Sequence, residues 1–171
     1  MRWHMILVTA AAAIIGTSVA LLAESAEQEG LGLVVSSEKA GYKVGEPVRV
    51  RFTWTNLGRA KLLIPNWRGP TGGVTLVGRG EKEIYDFSIY YEGTERLTYH
   101  GVFACGPIVG LLLDPGVTVT RVYEINDVYD VARPGRYVIR AAYFGYPRDD
   151  ASPEHWRGEI VHPDVEVWVR E

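Results

Sequence analysis

The sequence predicts an all-β protein, an antiparallel β-sandwich of about seven to nine short strands behind an N-terminal targeting segment. Three observations predict it. Apolar and polar residues alternate at period two in several short runs. Gly and Pro interrupt the chain between those runs. No run after residue 25 repeats its apolar positions at helical spacing.

The N-terminal segment comes first. Arg2 is followed by Ile6 to Ala23, a run of 18 residues without a charge, rich in Ala, Ile, Leu and Val, and Glu24 ends it. A basic start, an apolar middle and small residues at the end make a secretory signal. Ala23 and Ser25 occupy the two small positions a signal peptidase needs, which puts cleavage after Ser25; Ser18 and Ala20 offer a second site. A run of that length also just suffices to span a bilayer, so retention of residues 6–23 as a membrane anchor is the competing reading. With residues 1–25 as leader, residues 26–171 form a single sandwich domain, and the expected location is secreted or periplasmic. A domain near 150 residues buries about 68–70% of its extended-chain surface and holds a core without staples.

Cys105 is the only cysteine, so no disulfide forms within the chain. Its neighbours Val102, Phe103 and Ala104 mark it as a buried, inert thiol. The net charge is -3 with the two signs interspersed. No basic stripe points to nucleic acid, and no acidic run points to a disordered tail. Contact with a membrane is expected only through the N-terminal segment, if it is uncleaved.

The strands follow in order. Leu31 to Ser36 reads as the first, and Gly41 and Gly45 bracket a turn around Tyr42. The clearest strand is Pro47 to Asn56. Val48, Val50, Phe52 and Trp54 point one way and Arg49, Arg51, Thr53 and Thr55 the other, so Trp54 is a structural, core-facing residue. Asn56-Leu57-Gly58 turns into Lys61 to Ile64, which Pro65 stops. Asn66 to Gly80 reads as loop, with a brief pairing over Val74 to Val77. Ile84 to Tyr91 is a strand, and Glu92-Gly93 turns into another over Arg96 to Phe103. Asp114-Pro115-Gly116 breaks the chain before Val117 to Ile125, whose Thr118 and Thr120 lie on its polar face. Arg133-Pro134-Gly135-Arg136 is a corner feeding Tyr137 to Phe144. Gly145 to Gly158 is polar and loop-like. The last strand runs from about Pro163 to Arg170, with Val165, Val167 and Val169 alternating against Glu166, Trp168 and Arg170.

Two signatures go beyond a generic sandwich. Tyr42-Lys43-Val44-Gly45-Glu46-Pro47-Val48-Arg49-Val50-Arg51-Phe52, followed by Thr55-Asn56, looks like the start of many bacterial immunoglobulin-like domains. The stretch Leu113-Asp114-Pro115-Gly116, then Tyr129-Asp130-Val131, then Pro134-Gly135-Arg136-Tyr137-Val138-Ile139-Arg140 resembles the close of the domain that precedes the catalytic domain in deuterolysin-type (lysine-specific) zinc metalloendopeptidases. It is also similar to sandwich domains of the intracellular proteinase-inhibitor type. The resemblance spans about residues 31–145 and implies an immunoglobulin-like or fibronectin III-like sandwich. In it Pro134 and Gly135 set a tight corner and Tyr137 closes that corner through its hydroxyl. The His-Glu-x-x-His helix of those peptidases has no counterpart in this sequence. The resemblance therefore implies the accessory domain without the peptidase, and it carries architecture rather than activity.

Catalytic candidates are few. No Ser lies in a Gly-x-Ser-x-Gly elbow, and His100 and Cys105, five apart on an extended chain, point to opposite faces. His155 and His162, with Glu154, Glu159 and Asp164, have the chemistry of a zinc or iron site at a spacing that matches no metal motif, and no metal or cofactor is assigned. Asn126, Asp127, Asp130, Asp149 and Asp150 offer calcium ligands, but Asn and Asp in turns ordinarily cap backbone groups. The feature that points to recognition is the loop Trp67 to Gly73. Trp67 beside Arg68 in a Gly/Pro-rich loop has the composition of an interface hot spot, and Tyr90, Tyr91, Tyr99, Trp156 and Trp168 offer further aromatic faces. Trp67, Arg68, Tyr90, Tyr91 and Trp156 are the candidate binding residues. The reading is an exported, non-enzymatic β-sandwich binding module for a protein partner, with a protease-inhibitor-like role as one form of it. The alternatives are a carbohydrate-binding sandwich with aromatic platforms and a metal-dependent enzyme using His155 and His162.

Overall fold

The structure is a computed structural model that describes residues 25–65, 85–101, 110–146 and 153–171. Residues 1–24 of the leader, the Trp67 to Gly73 loop with Trp67 and Arg68, the Val74 to Val77 pairing, Cys105, Asp149 and Asp150 lie outside the described residues. No helix among the described residues is long and apolar enough to cross a membrane.

The regular structure of the described residues is almost entirely strand: β1 (Ser25–Gln28), β2 (Leu31–Ser37), β3 (Gly41–Lys43), β4 (Arg49–Asn56), β5 (Leu62–Pro65), β6 (Tyr85–Tyr91), β7 (Glu95–Arg96), β8 (Gly110–Leu113), β9 (Thr118–Glu124), a 3₁₀ turn (Ile125–Asp127), β10 (Gly135–Phe144) and β11 (Glu159–Arg170). One sheet has the order β1-β2-β4-β9, a second β3-β11-β10-β6-β7, and β5 pairs with β8. Lettering β2, β4 and β9 as A, B and E, and β6, β10 and β11 as C, F and G, gives the immunoglobulin-type neighbours A-B-E and C-F-G. All pairings are antiparallel except that of β3 with the end of β11.

Period-two alternation decides which side of each strand faces the core. Val50, Phe52 and Trp54 of β4 are buried, as is Val48 just before it, while Arg49 and Arg51 are exposed. Across the sandwich, Phe52 meets Phe87 of β6 edge-on at 5.7 Å and Trp54 meets Tyr143 of β10 at 5.9 Å. Such ring pairs add about 0.5–1.5 kcal/mol each to the burial itself. Leu31, Leu33 and Val35 of β2 and Val167 and Val169 of β11 complete the centre.

The short strands that raise the total above the expected range arise where sequence patterns are weak. The hairpin β1–β2 turns on Glu29 and Gly30, both with positive φ, and adds a strand ahead of Leu31. Tyr42 is not in a turn. It lies buried in β3, and its hydroxyl bonds Ser37 Oγ at 2.7 Å and accepts from Lys39 N at 3.1 Å. The strand expected over Arg96 to Phe103 stops at Arg96. Leu97 N still donates to Ile89 O, but Tyr99 then packs edge-on against Tyr129 at 5.6 Å, which draws the chain off the sheet.

Pro163 does not begin the last strand; β11 runs through it. Ile139 pairs with Val165 and Ala141 with His162, so Arg140 faces two residues, Pro163 and Asp164. That is a β-bulge, one of the few places inside a sheet where a residue without an N–H fits. The bulge also lets both halves of β11 turn their buried residues inward, Ile160 and His162 before it and Val167 and Val169 after it.

Candidate functional site

The outer face of the five-stranded sheet is built by the residues that alternate with its core. On β11 these are Val161, Asp164, Glu166 and Trp168; on β10, Arg136, Val138 and Arg140; on β6, Ser88 and Tyr90. Trp168 is 44% exposed although the residues on either side of it, Val167 and Val169, are buried. Its neighbour in register on β10 is Arg136, and on β3 it is Gly41, which carries no side chain. The indole therefore lies on a rigid strand with one flank open.

Two guanidinium–carboxylate pairs cross this face. Arg136 Nη1 donates to Glu166 Oε1 at 3.1 Å, and Arg140 Nε donates to Asp164 Oδ2 at 3.2 Å. The Asp164 carboxylate holds the Arg140 guanidinium above its ordinary value. Arg140 also covers the Tyr90 ring at 4.4 Å, and Arg96 Nη2 donates to the buried Ser88 Oγ at 2.9 Å. Both ion pairs are solvent-exposed, so screening by water leaves them little effect on stability. Their larger effect is to fix the positions of these four side chains.

The corner residues lie at one end of this sheet. The Tyr137 hydroxyl donates to Arg133 O and accepts from Arg133 N, and burial pushes its phenol up. Tyr91 packs edge-on against Tyr137 at 5.2 Å, donates its hydroxyl to Pro134 O, and carries the Arg133 guanidinium over its ring at 4.1 Å. Gly135 has φ 148, and a Cβ there would lie 2.6 Å from both Glu92 Oε1 and the Tyr91 ring.

The candidate aromatics are thus not brought together. Tyr90 is on the outer face, while its neighbour Tyr91 belongs to the corner. Trp156 is 2% exposed, stacked on Tyr143 at 5.4 Å, with its indole N–H donating to Gln28 O. It is a core residue, because its segment bonds back to Leu63 of β5 and is pulled under the β1 hairpin.

The histidines are also placed apart in role. His155 bridges to Leu63 and stacks on Tyr146 at 4.0 Å. His162 is buried, its Nε2 accepts from Val35 N across the two sheets at 3.0 Å, and its Nδ1 lies 2.7 Å from Pro163 O. A backbone N–H only donates and a carbonyl only accepts, so this network fits the neutral ring with its proton on Nδ1. Among the described residues no group of three or more His, Cys, Asp or Glu is arranged to hold a metal ion. Asn126 is used by the fold: its Oδ1 accepts from Val48 N and its Nδ2 donates to Glu46 O. Asp130 caps Ala132 N. The fully buried Asn56, which the sequence marked only as a turn residue, donates to Ala60 O and Leu113 O and accepts from Gly58 N. No protein-family model matches the chain, and no curated protein matches it.

Proposed function

We propose that this chain is an exported, non-catalytic binding module whose recognition surface is the outer face of the five-stranded sheet. The observation that carries this is Trp168, held half-open on a central strand between Gly41 and the Arg136–Glu166 pair. Large aromatics on rigid elements supply contact area at little entropic cost. The buried polar side chains Asn56, Ser88 and His162 are engaged by the fold itself, which argues against a catalytic role for them. The same engagement weighs against a metal-dependent reaction at His162. Export rests on the leader-like residues 1–25.

A protein partner, including an inhibitor-like role, is the reading that Trp67 and Arg68 motivate from sequence. The described residues supply a different surface, so the test is made there. Retention of envelope proteins and cell-wall material on the purified protein is compared with retention on Trp168→Ala. Equal retention by both would sink the proposed surface. N-terminal sequencing of the protein from its native host tests export: a start after residue 25 supports a cleaved leader, a Met1 start in the membrane fraction supports an anchor, and a Met1 start in the cytosol excludes both.

A further inference from the structure

We infer that the fold itself closes the cleavage site of the leader: once β1 is paired with β2, the Ser25–Ala26 bond is out of a signal peptidase's reach. The inference rests on the reading of residues 1–25 as an export leader and adds when the cut must be made.

The bond lies inside a strand. In the β1–β2 ladder Ser25 pairs with Val34 and Ala26 with Leu33, while Glu27 and Gln28 lie opposite Gly32 and Leu31. No spacer therefore separates the cleavage position from the folded domain. A peptidase takes an extended segment that is free of other partners. A bond within a ladder is then cut only from the fraction of chains in which that segment has opened. The cut adds water across the Ser25–Ala26 peptide bond, leaving a carboxylate on Ser25 and an amino group on Ala26. The pairs from Ala26 to Gln28 survive it, so the mature chain keeps most of β1.

The hold on β1 is completed late. A two-stranded hairpin alone is marginal in water, and β2 gains its second neighbour only from β4. Gln28 is then clamped by residues near the other end of the sequence. Its carbonyl accepts from the Trp156 indole N–H at 3.2 Å, 128 residues away, and its Oε1 accepts from Glu159 N at 3.2 Å, 131 residues away. Trp156 is itself fixed by burial and by its stack on Tyr143. A chain exported N-terminus first thus presents Ser25–Ala26 open until residues 156–159 arrive, and closed afterwards. A chain that folds before it is cut keeps Ser25, and with it the leader unless the earlier site after Ala20 is used. Removed leader and retained anchor then become two outcomes of one race between peptidase and fold.

The test is an order-of-addition experiment on the full-length protein, unfolded in urea and diluted into detergent buffer. In one arm a purified signal peptidase is present at dilution. In the other it is added after refolding, which tryptophan fluorescence follows. Mass spectrometry identifies the bond that is cut. Cleavage after Ser25 is expected in the first arm and should be slower by about tenfold or more in the second, because the cut then waits on local opening. Trp156→Phe removes the bond to Gln28 O at a position far from the cut, so the peptidase meets the same substrate sequence. It should lose about two- to tenfold of the protection, the effect of one hydrogen bond, with the first arm unchanged. Melting temperature confirms that the variant folds; if it does not, the two arms of the native protein decide alone. Equal rates in the two arms, or full protection retained in a folded Trp156→Phe, overturns the inference while the leader reading stands. No cut after Ser25 in either arm overturns the cleavage site and the inference with it.

Discussion

The Tyr137 hydroxyl donates to the carbonyl of Arg133 at 2.8 Å and accepts from the same residue's N–H at 3.1 Å. One side chain thereby closes the loop that turns the chain from one sheet into the other. Tyr137→Phe keeps the ring contact with Tyr91 but strands both backbone groups. It is expected to cost about 1–3 kcal/mol, the range for buried groups left without partners. Chemical denaturation of the variant measures it, and a loss near zero would mean that water replaces the hydroxyl.

The same corner depends on Gly135. With φ 148 and no room for a Cβ between Glu92 and Tyr91, Gly135→Ala combines backbone strain with overpacking. The expected loss is about 2–4 kcal/mol. Gly116 is the comparison: φ is 77 and nothing lies within 4 Å of an added Cβ, so Gly116→Ala should cost only about 1–2 kcal/mol. Equal losses at the two sites would show that the clash at Gly135 relaxes.

What the sequence made legible follows from these cases. Strict alternation located β4 and the outward Trp168, and Pro134-Gly135 ahead of Tyr137 located the corner. Trp156 was misplaced because its segment is not a regular strand, so no periodicity says which way the indole turns. Tyr90 and Tyr91 look like a pair in sequence, but adjacent strand residues necessarily face opposite ways. The bulge at Pro163 hid half of β11, since a proline read without its partner strand looks like a stop. His162 looked like a ligand because the acceptor role it plays toward Val35 N spans 127 residues of sequence.

Two Glu-Gly turns make a matched comparison. Glu29 and Glu92 both have positive φ, each followed by a glycine that does too. The Glu92 carboxylate accepts from Arg136 N at 2.9 Å, whereas no described residue bonds the Glu29 carboxylate. Asn tolerates this backbone better than Glu. Glu29→Asn should therefore stabilise by up to about 1 kcal/mol. Glu92→Asn should gain nothing, because the shorter side chain gives up the bond to Arg136 N. Thermal melts of the two variants check the sign at each site.

His162 stitches β11 to β2 through Val35 N. His162→Phe fills the space but leaves that N–H without its acceptor, for an expected loss of about 1–3 kcal/mol. His162→Gln, which retains an acceptor, should recover part of it. Added zinc or a chelator should leave the melting temperature of the native protein unchanged. A zinc-dependent rise that disappears in His162→Phe would restore the metal reading.

Tyr123 gives the domain an alkaline limit. It lies on β9 packed edge-on against Phe52 at 5.8 Å, and burial pushes its phenol from 10.0 up to about 12, with Arg121 pulling weakly the other way. The unfolded chain releases this proton near 10 while the folded chain holds it. The unfolded state thus binds fewer protons in that window, and stability falls as pH rises from about 10 toward 12. Below 10 the phenol is neutral in both states and contributes no slope. Tyr137, also raised by burial, adds to the slope with the same sign. Denaturation midpoints across that range should decline for the native protein and decline less steeply for Tyr123→Phe. An equal decline in both would place the alkaline sensitivity elsewhere.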